Sequence, residues 1–258
     1  MTGTGPLEVG EIVHFVDSKD RRYMVTLTPG KEFHSHKGSV AHDLVIGRPE
    51  GKVVDSTGKG TYLVIRPTMS EVILKMPRGA QVIYPKDLGP ILMLADIFPG
   101  ARVFESGVGS GALSMTMLRA GAHITGYELR DDFASRATNN VRDILGESAL
   151  ERYDVQLRSS YDPIDETDFD RMVLDLPEPW QVVPHAKTAL RPGGIIVAYT
   201  PSVTQVSRFR EALSEHGFVM ANTTEIMQRG WHVEGQAVRP DHRMVGHTGF
   251  LTSARLLS

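Results

Sequence analysis

Cysteine is absent from the 258 residues. That gap excludes thiolate-bound zinc, iron–sulfur clusters, thiol nucleophiles and disulfide bonds. Long apolar runs are missing too. The longest, Ile91–Phe98, is interrupted by Asp96 and falls far short of the roughly 20 residues that span a bilayer. The N-terminus, Met1-Thr-Gly-Thr-Gly-Pro-Leu-Glu8, lacks the basic start and apolar segment of a secretory signal, so the expected location is the cytoplasm. Nor is there an excess of basic charge: 28 Lys and Arg face 31 Asp and Glu, a net charge of −3. The balance is uneven, because residues 91–228 hold 19 acids against 12 bases while both flanks are mildly basic. A polyanionic partner would meet a shaped patch, not a uniformly positive surface. What is present, 41% hydrophobic residues over this length, suffices for one large domain or two unequal ones without metal or disulfide support.

The first 85 residues alternate short β-branched and aromatic runs with turn residues: Ile12–Val16, Tyr23–Leu27, Asp43–Ile46, Lys52–Val54 and Tyr62–Arg66. This texture predicts a small all-β unit. From Leu88 onward helix and strand patterns alternate, beginning with a helix over 90–98 that has proline in its first turn. Strands follow at 102–106, 123–128, 154–158, 171–175, 194–199, 218–227 and 248–256, with helices at 111–120, 131–145, 181–190 and 203–216. That order predicts a mostly parallel α/β sheet with helices on both faces. No internal repeat or low-complexity tract interrupts it.

Arg102–Leu113 reads as a strand running through Gly107-x-Gly109-x-Gly111 into a helix, a turn that brings backbone N–H groups close to a ligand. The glycines alone admit a dinucleotide or S-adenosyl-L-methionine (SAM). Glu105, just before them, suits the ammonium of SAM better than a pyrophosphate, or orders the loop. Glu128 closes the next strand, where a carboxylate accepts from both ribose hydroxyls of either ligand. A second loop, Asp175-Leu-Pro-Glu-Pro-Trp180, holds an acid between a strand end and two prolines. An acid followed by Pro-x-Pro-aromatic in this slot is the arrangement of enzymes that methylate nitrogen on a planar substrate.

Further segments complete a resemblance along nearly the whole chain: Tyr84-Pro-Lys-Asp87 within 75–87, Tyr199-Thr-Pro-Ser-Val-Thr-Gln205, Gln228-Arg-Gly-Trp231, Val245-Gly-His-Thr-Gly-Phe250, and in the N-terminal unit His36-Lys-Gly-Ser39 and Ala41-His-Asp43. The sequence resembles the SAM-dependent tRNA (adenine-58-N1)-methyltransferases of the bacterial and archaeal type. The resemblance implies a class I SAM-dependent methyltransferase domain, Rossmann-like with a seven-stranded mostly parallel sheet, at residues 86–258. A small β domain at 1–85 would precede it, and the chains would form a homotetramer. It implies further that Ser110, Gly111, Ala112 and Leu113 line the methionine part of SAM, with Gly107 and Gly109 in the same loop, that Glu128 holds the ribose and that Phe133 lies near the adenosine. Relatives place an acid near the adenine amino group after the third strand. Here that stretch is Arg158-Ser-Ser-Tyr-Asp162, and ungapped correspondence puts Ser160 in the slot, leaving Ser160 or Asp162 for the contact.

Asp175 matches the family's catalytic acid and also borders the cofactor; Tyr84 and Tyr199 match tyrosines near the substrate. Adenine N1 carries an in-plane lone pair, so no proton need be removed first, and a carboxylate accepting from the exocyclic amino group favours the cation that develops. The target base must be extruded from a folded tRNA loop, which requires grip on phosphates. Arg78, Lys86, Arg229, Arg239, Arg243 and His247 are the candidate RNA contacts, with His36 and His42 as further polar partners. His34, His36 and His42 fit no standard metal spacing, and no metal is expected. The alternatives are a methyltransferase of this fold acting on a protein, a DNA base or a small molecule, an NAD-dependent oxidoreductase, and a catalytically silent RNA-binding subunit. Glu105 and the Pro-flanked Asp175 loop stand against the oxidoreductase, and the glycine loop, Glu128 and Asp175 against the silent subunit.

Overall fold

The computed structural model describes residues 4–79 and 81–258. The chain divides into two compact units: residues up to Met76 with Asn140–Glu147, and Pro77–Asn139 with Ser148–Ser258. The segment 77–85, expected to end the first domain, therefore groups with the second unit.

The first unit contains β1 (Ile12–Asp17), β2 (Arg22–Thr26), β3 (Glu32–Ser35), β4 (Gly38–Ala41), β5 (Lys52–Asp55), β6 (Thr61–Ile65) and α1 (Met69–Lys75). Four strands form an antiparallel sheet in the order β2-β1-β6-β5, and β3 pairs with β4. Its core stacks Phe15 on Phe33, centroids 4.7 Å apart, with Tyr62 edge-on to Phe33 at 5.2 Å. Such aromatic pairs add about 0.5–1.5 kcal/mol each beyond the area they bury. The run Asp43–Ile46 is not a strand. It enters a 3-10 turn, His42–Leu44, closed by the Val45 N–H donating to the His42 carbonyl at 2.9 Å, and the Asp43 carboxylate ties the turn to the Gly30 N–H at 3.1 Å. The helix α1 was not expected from apolar periodicity, but its signal is a capping box: Thr68 accepts from Glu71 N, and Glu71 accepts from Thr68 N at 2.7 Å.

The remaining elements are α2 (Pro85–Leu94), β7 (Arg102–Ser106), α3 (Ala112–Arg119), β8 (His123–Glu128), α4 (Asp131–Leu145), β9 (Tyr153–Leu157), β10 (Phe169–Leu174), α5 (Val183–Ala189), β11 (Leu190–Thr200), α6 (Val203–Glu215), β12 (Phe218–Glu225), β13 (Trp231–Glu234), β14 (Ala237–Pro240) and β15 (Phe250–Leu256). The helix expected at 90–98 begins at Pro85. Pro85 takes the first turn, where its missing N–H costs nothing, and Pro90 inside forgoes only one bond. Seven strands form one sheet in the order β12-β15-β11-β10-β7-β8-β9. The five from β11 to β9 run parallel, and β15 is antiparallel to β11 and β12.

Alternation along the central strands sends side chains to both faces. Phe104, Met172, Leu174, Ile196 and Ala198 join Val182, Val183, Phe209 and Leu213 in one buried cluster. Val103, Val173, Ile195 and Val197 are as fully buried and point the other way. Each of the valine, leucine, isoleucine, methionine and phenylalanine side chains among them contributes about 1.5–3 kcal/mol by leaving water. Strand order reverses direction between β7 and β10, and the crevice above the carboxyl ends of strands at such a point is where open α/β sheets bind ligands. Among the described residues no helix is long and apolar enough to cross a membrane.

Candidate active site

The loop after β7 is shaped by its glycines. Gly107 has φ +82°, and a Cβ there would lie 2.0 Å from the Asp175 carbonyl oxygen. Only glycine therefore lets the two loops touch, and the Asp175 N–H donates to the Ser106 carbonyl at 2.9 Å to fasten them. Gly111, also at positive φ, caps α3 and sits where a Cβ would meet Ala137 of α4 at 3.2 Å.

Three carboxylates converge here. Glu105 pairs in register with Val173, two residues before Asp175, and is fully buried with both carboxylate oxygens lacking a hydrogen-bond partner. Burial pushes its pKa up to about 8; Ser114, close by but outside hydrogen-bonding geometry, opposes the shift, and the charges of Asp175 and Glu128 reinforce it. Ser114 accepts in turn from Tyr153 at 3.0 Å. Asp175 keeps some surface as a residue, but its carboxyl group is enclosed, and desolvation followed by the charge of Glu128 raises it to about 7. Glu128 accepts from Gly109 N and Arg130 N, both at 3.0 Å, which orders the glycine loop from the neighbouring strand.

Gln81, Val82 and Ile83 close over Gly107, Val108, Gly109, Ser110, Ala112, Leu113 and Asp175. The space they leave is about 20 Å³. A larger hollow of about 390 Å³ lies at the amino ends of the strands, lined by Arg102, His123, Arg152 and Tyr153 among others, away from the carboxylates. The residues present fit SAM on the donor chemistry: a buried, unpartnered Glu105 suits an ammonium, Glu128 stands at the end of β8 where a ribose is held, and the glycine loop leaves room for close backbone approach.

Other expected residues are dispersed. Phe133 is buried, with the Arg130 guanidinium 3.7 Å above its ring. Ser160 is buried and shares a hydrogen bond with Ser106, whereas Asp162 is exposed. Tyr84 precedes α2 as its cap residue, half-buried. Tyr199, at the end of β11, donates to the Thr248 carbonyl at 2.6 Å; burial lifts its pKa to about 12, and Asp87, Asp175 and Tyr84 are the acids acting on it.

Arg78, Arg229, Arg239 and Arg243 are exposed, the last three on or beside the β13–β14 hairpin. Lys86 is not available as an RNA contact. Its side chain is 7% exposed, and its ammonium donates to Asp87 Oδ1 at 2.8 Å, the Ile226 carbonyl at 2.6 Å and Thr248 Oγ1. His247 is engaged at both ring nitrogens, with Glu225 Oε1 at 2.6 Å and the Pro201 carbonyl at 2.9 Å. The first of these contacts, then the second, raises its pKa, since two acceptors favour the doubly protonated ring. In the first unit His42 is buried against the Thr28 main chain, while His34 and His36 are exposed. Asp87 and Thr248 were not singled out as site residues, although both lie in quoted motifs.

Fold and site together define a class I SAM-dependent methyltransferase. Solved structures agree. A SAM-dependent O-methyltransferase from Thermotoga maritima superposes with a TM-score of 0.91 at 28% identity, covering 98% of this chain and 96% of that one. The tRNA (m1A58) methyltransferase TrmI of Aquifex aeolicus gives 0.83 at 27%, covering 98% and 99%. Residues 60–238 match the family described as tRNA methyltransferase complex GCD14 subunit, and residues 5–54 the TrmI-like N-terminal family. The chain is 36% identical over 242 residues to tRNA (adenine(58)-N(1))-methyltransferase TrmI of Thermus thermophilus, covering 93% of this chain and 94% of that one. It is 35% identical to tRNA (adenine(57)-N(1)/adenine(58)-N(1))-methyltransferase TrmI of Methanocaldococcus jannaschii, covering 93% of each. The chain belongs to the tRNA (adenine-58-N1)-methyltransferase family of bacterial and archaeal type.

Proposed function

We propose that the chain methylates N1 of adenine 58 in the T-loop of tRNA, with SAM as donor and the base extruded into the cleft above β7 and β10. The carrying observation is the convergence of Glu105, Glu128 and Asp175 on one cleft, with both Glu105 oxygens unpartnered. Such a cluster suits a cationic donor and an acceptor that presents an amino group. Bound SAM supplies an electrophilic methyl group on a sulfonium. Glu105 would hold the donor's ammonium and Glu128 its ribose, and Ser110, Gly111, Ala112 and Leu113 would flank the methionine part, with Phe133 near the adenosine. Ser160 or Asp162 faces the donor's adenine; the bond of Ser160 to Ser106 favours Asp162.

Asp175 accepts from the exocyclic amino group of the target adenine, which aims N1 and stabilises the charge that develops on the ring. Because the attacking atom is a lone pair, no general base is needed, and orientation supplies much of the remaining rate. Tyr199 has its hydroxyl proton committed to Thr248, so it serves through its ring face, and Tyr84 approaches from the α2 side.

Tetramer assembly and RNA grip are assigned to the β13–β14 arm. Register places Trp231, Val233, Val238 and Pro240 on one face and His232, Glu234, Ala237 and Arg239 on the other. Trp231, Val233 and Val238 are all more than half exposed in the single chain, as self-association requires. The other face, with Arg229 and Arg243 beside it, suits phosphates; Arg78 is a further contact. The small β domain and the assembled enzyme work in the cytoplasm. The test incubates the protein with methyl-labelled SAM and unmodified tRNA transcript, then digests to nucleosides. Expected is 1-methyladenosine, reduced by about 10²–10³ in kcat for Asp175→Ala. SAM binding with no label in tRNA would retain the fold and refute the substrate.

A further inference from the structure

The β13–β14 arm leaves the sheet after Glu225 and returns at Phe250, and one buried group joins both of its feet. Lys86 donates to the Ile226 carbonyl on the outgoing foot and to Thr248 Oγ1 on the returning foot, and pairs with Asp87 Oδ1. Thr248 Oγ1 passes its own proton to Asp87 Oδ2 at 2.7 Å. All three ammonium protons are used, both Asp87 oxygens are met, and Asp87 is completely buried. A buried ion pair satisfied in this way is rigid, because moving any member strands a charge in low dielectric.

This triad touches both aromatic residues of the proposed substrate pocket. The Thr248 carbonyl is the acceptor for Tyr199 Oη at 2.6 Å, and the next residue, Gly249, lies so close that a Cβ would stand 2.5 Å from Tyr199 Cζ. On the other side, the Asp87 N–H donates to the Tyr84 carbonyl at 2.8 Å in the first turn of α2. No phosphate-binding role accounts for a lysine enclosed among protein acceptors.

We propose that Lys86, Asp87 and Thr248 are positioning residues that hold Tyr199 against the target base and tie its placement to the feet of the β13–β14 arm. The inference rests on the reading of the Asp175 cleft as the active site. It predicts that loosening the triad slows methyl transfer through Tyr199 while leaving the donor site intact.

The test is a double-mutant cycle on the full chain. Thr248→Val removes the hydroxyl but keeps the carbonyl that Tyr199 uses; Thr248→Ser keeps both; each is made in the wild-type and Tyr199→Phe backgrounds. SAM affinity, melting temperature, and kcat and KM on tRNA transcript are measured. Expected is a fall of about tenfold in kcat for Thr248→Val with SAM affinity within about twofold, recovery in Thr248→Ser, and a loss below about twofold when Thr248→Val is added to Tyr199→Phe. A full tenfold loss in the Tyr199→Phe background, an unchanged kcat for Thr248→Val, or a parallel collapse of SAM affinity each overturns the proposal. Wild-type kcat in Tyr199→Phe alone means that the bond from Tyr199 Oη to the Thr248 carbonyl does not place the ring, and the proposal falls.

Discussion

Replacing Glu105 by Gln removes a carboxyl group that the fold encloses completely and leaves without a hydrogen-bond partner. Its pKa rises from 4.5 to about 8 on folding. The folded state therefore binds the proton more tightly than the unfolded chain. The associated stability is present below about pH 4.5, is lost as pH rises toward 8, and is fully gone above it. At 1.36 kcal/mol per pH unit, the loss relative to a protein with no titrating group is about 2 kcal/mol at pH 6 and about 4.5 kcal/mol at pH 8.5. Asp175 is raised in both proteins, and its effect cancels to first order.

The difference between wild type and Glu105→Gln should widen by about 2.5 kcal/mol between those pH values, about 5–10 °C in Tm for a chain of this size. Differential scanning calorimetry of the SAM-free proteins at pH 6 and 8.5 measures it. Saturating SAM should raise the Tm of wild type more than that of the variant, since Glu105 then has a cation to face. A Tm difference that stays flat across this range would refute the reasoning, because it would mean that the group is solvated or already paired.

Gly107→Ala should abolish SAM binding and cost several kcal/mol, since its methyl group would stand 2.0 Å from the Asp175 carbonyl at a positive φ; isothermal titration and a melting curve check both effects. Arg66→Ala should destabilise the first unit by about 1–2 kcal/mol in urea unfolding. Its guanidinium, 9% exposed, bridges Glu11 at 2.8 Å and Glu50 at 2.9 Å, while in the variant Glu50 keeps the main-chain N–H of residue 66 and Glu11 keeps the Glu8 N–H.

Helical and strand patterns, with glycine and proline at the turns, are enough to place β7, β8, α3, α4 and α6 nearly to the residue, because local propensity and turn residues set those elements. The order of strands and helices announced a parallel sheet, and Glu105, Glu128 and Asp175 were legible because each stands at a strand end beside a turn. Local pattern failed where a side chain outvoted it. The run Asp43–Ile46 is held as a turn tied to Gly30 by the Asp43 carboxylate, a contact no local pattern shows, and the arm β13–β14 escapes it because its strands are four residues long and exposed.

Only the tertiary structure decided which charges are enclosed. The sequence shows Lys86 as a surface base in Tyr-Pro-Lys-Asp, yet long-range contacts with Ile226 and Thr248 bury it, and Ser160 is drawn to Ser106 from a different strand. Residue identity determines what a side chain can donate or accept. Whether it meets water or a partner depends on neighbours brought from distant parts of the chain, and the pKa values near 7 and 8 at Asp175 and Glu105 arise from such enclosure.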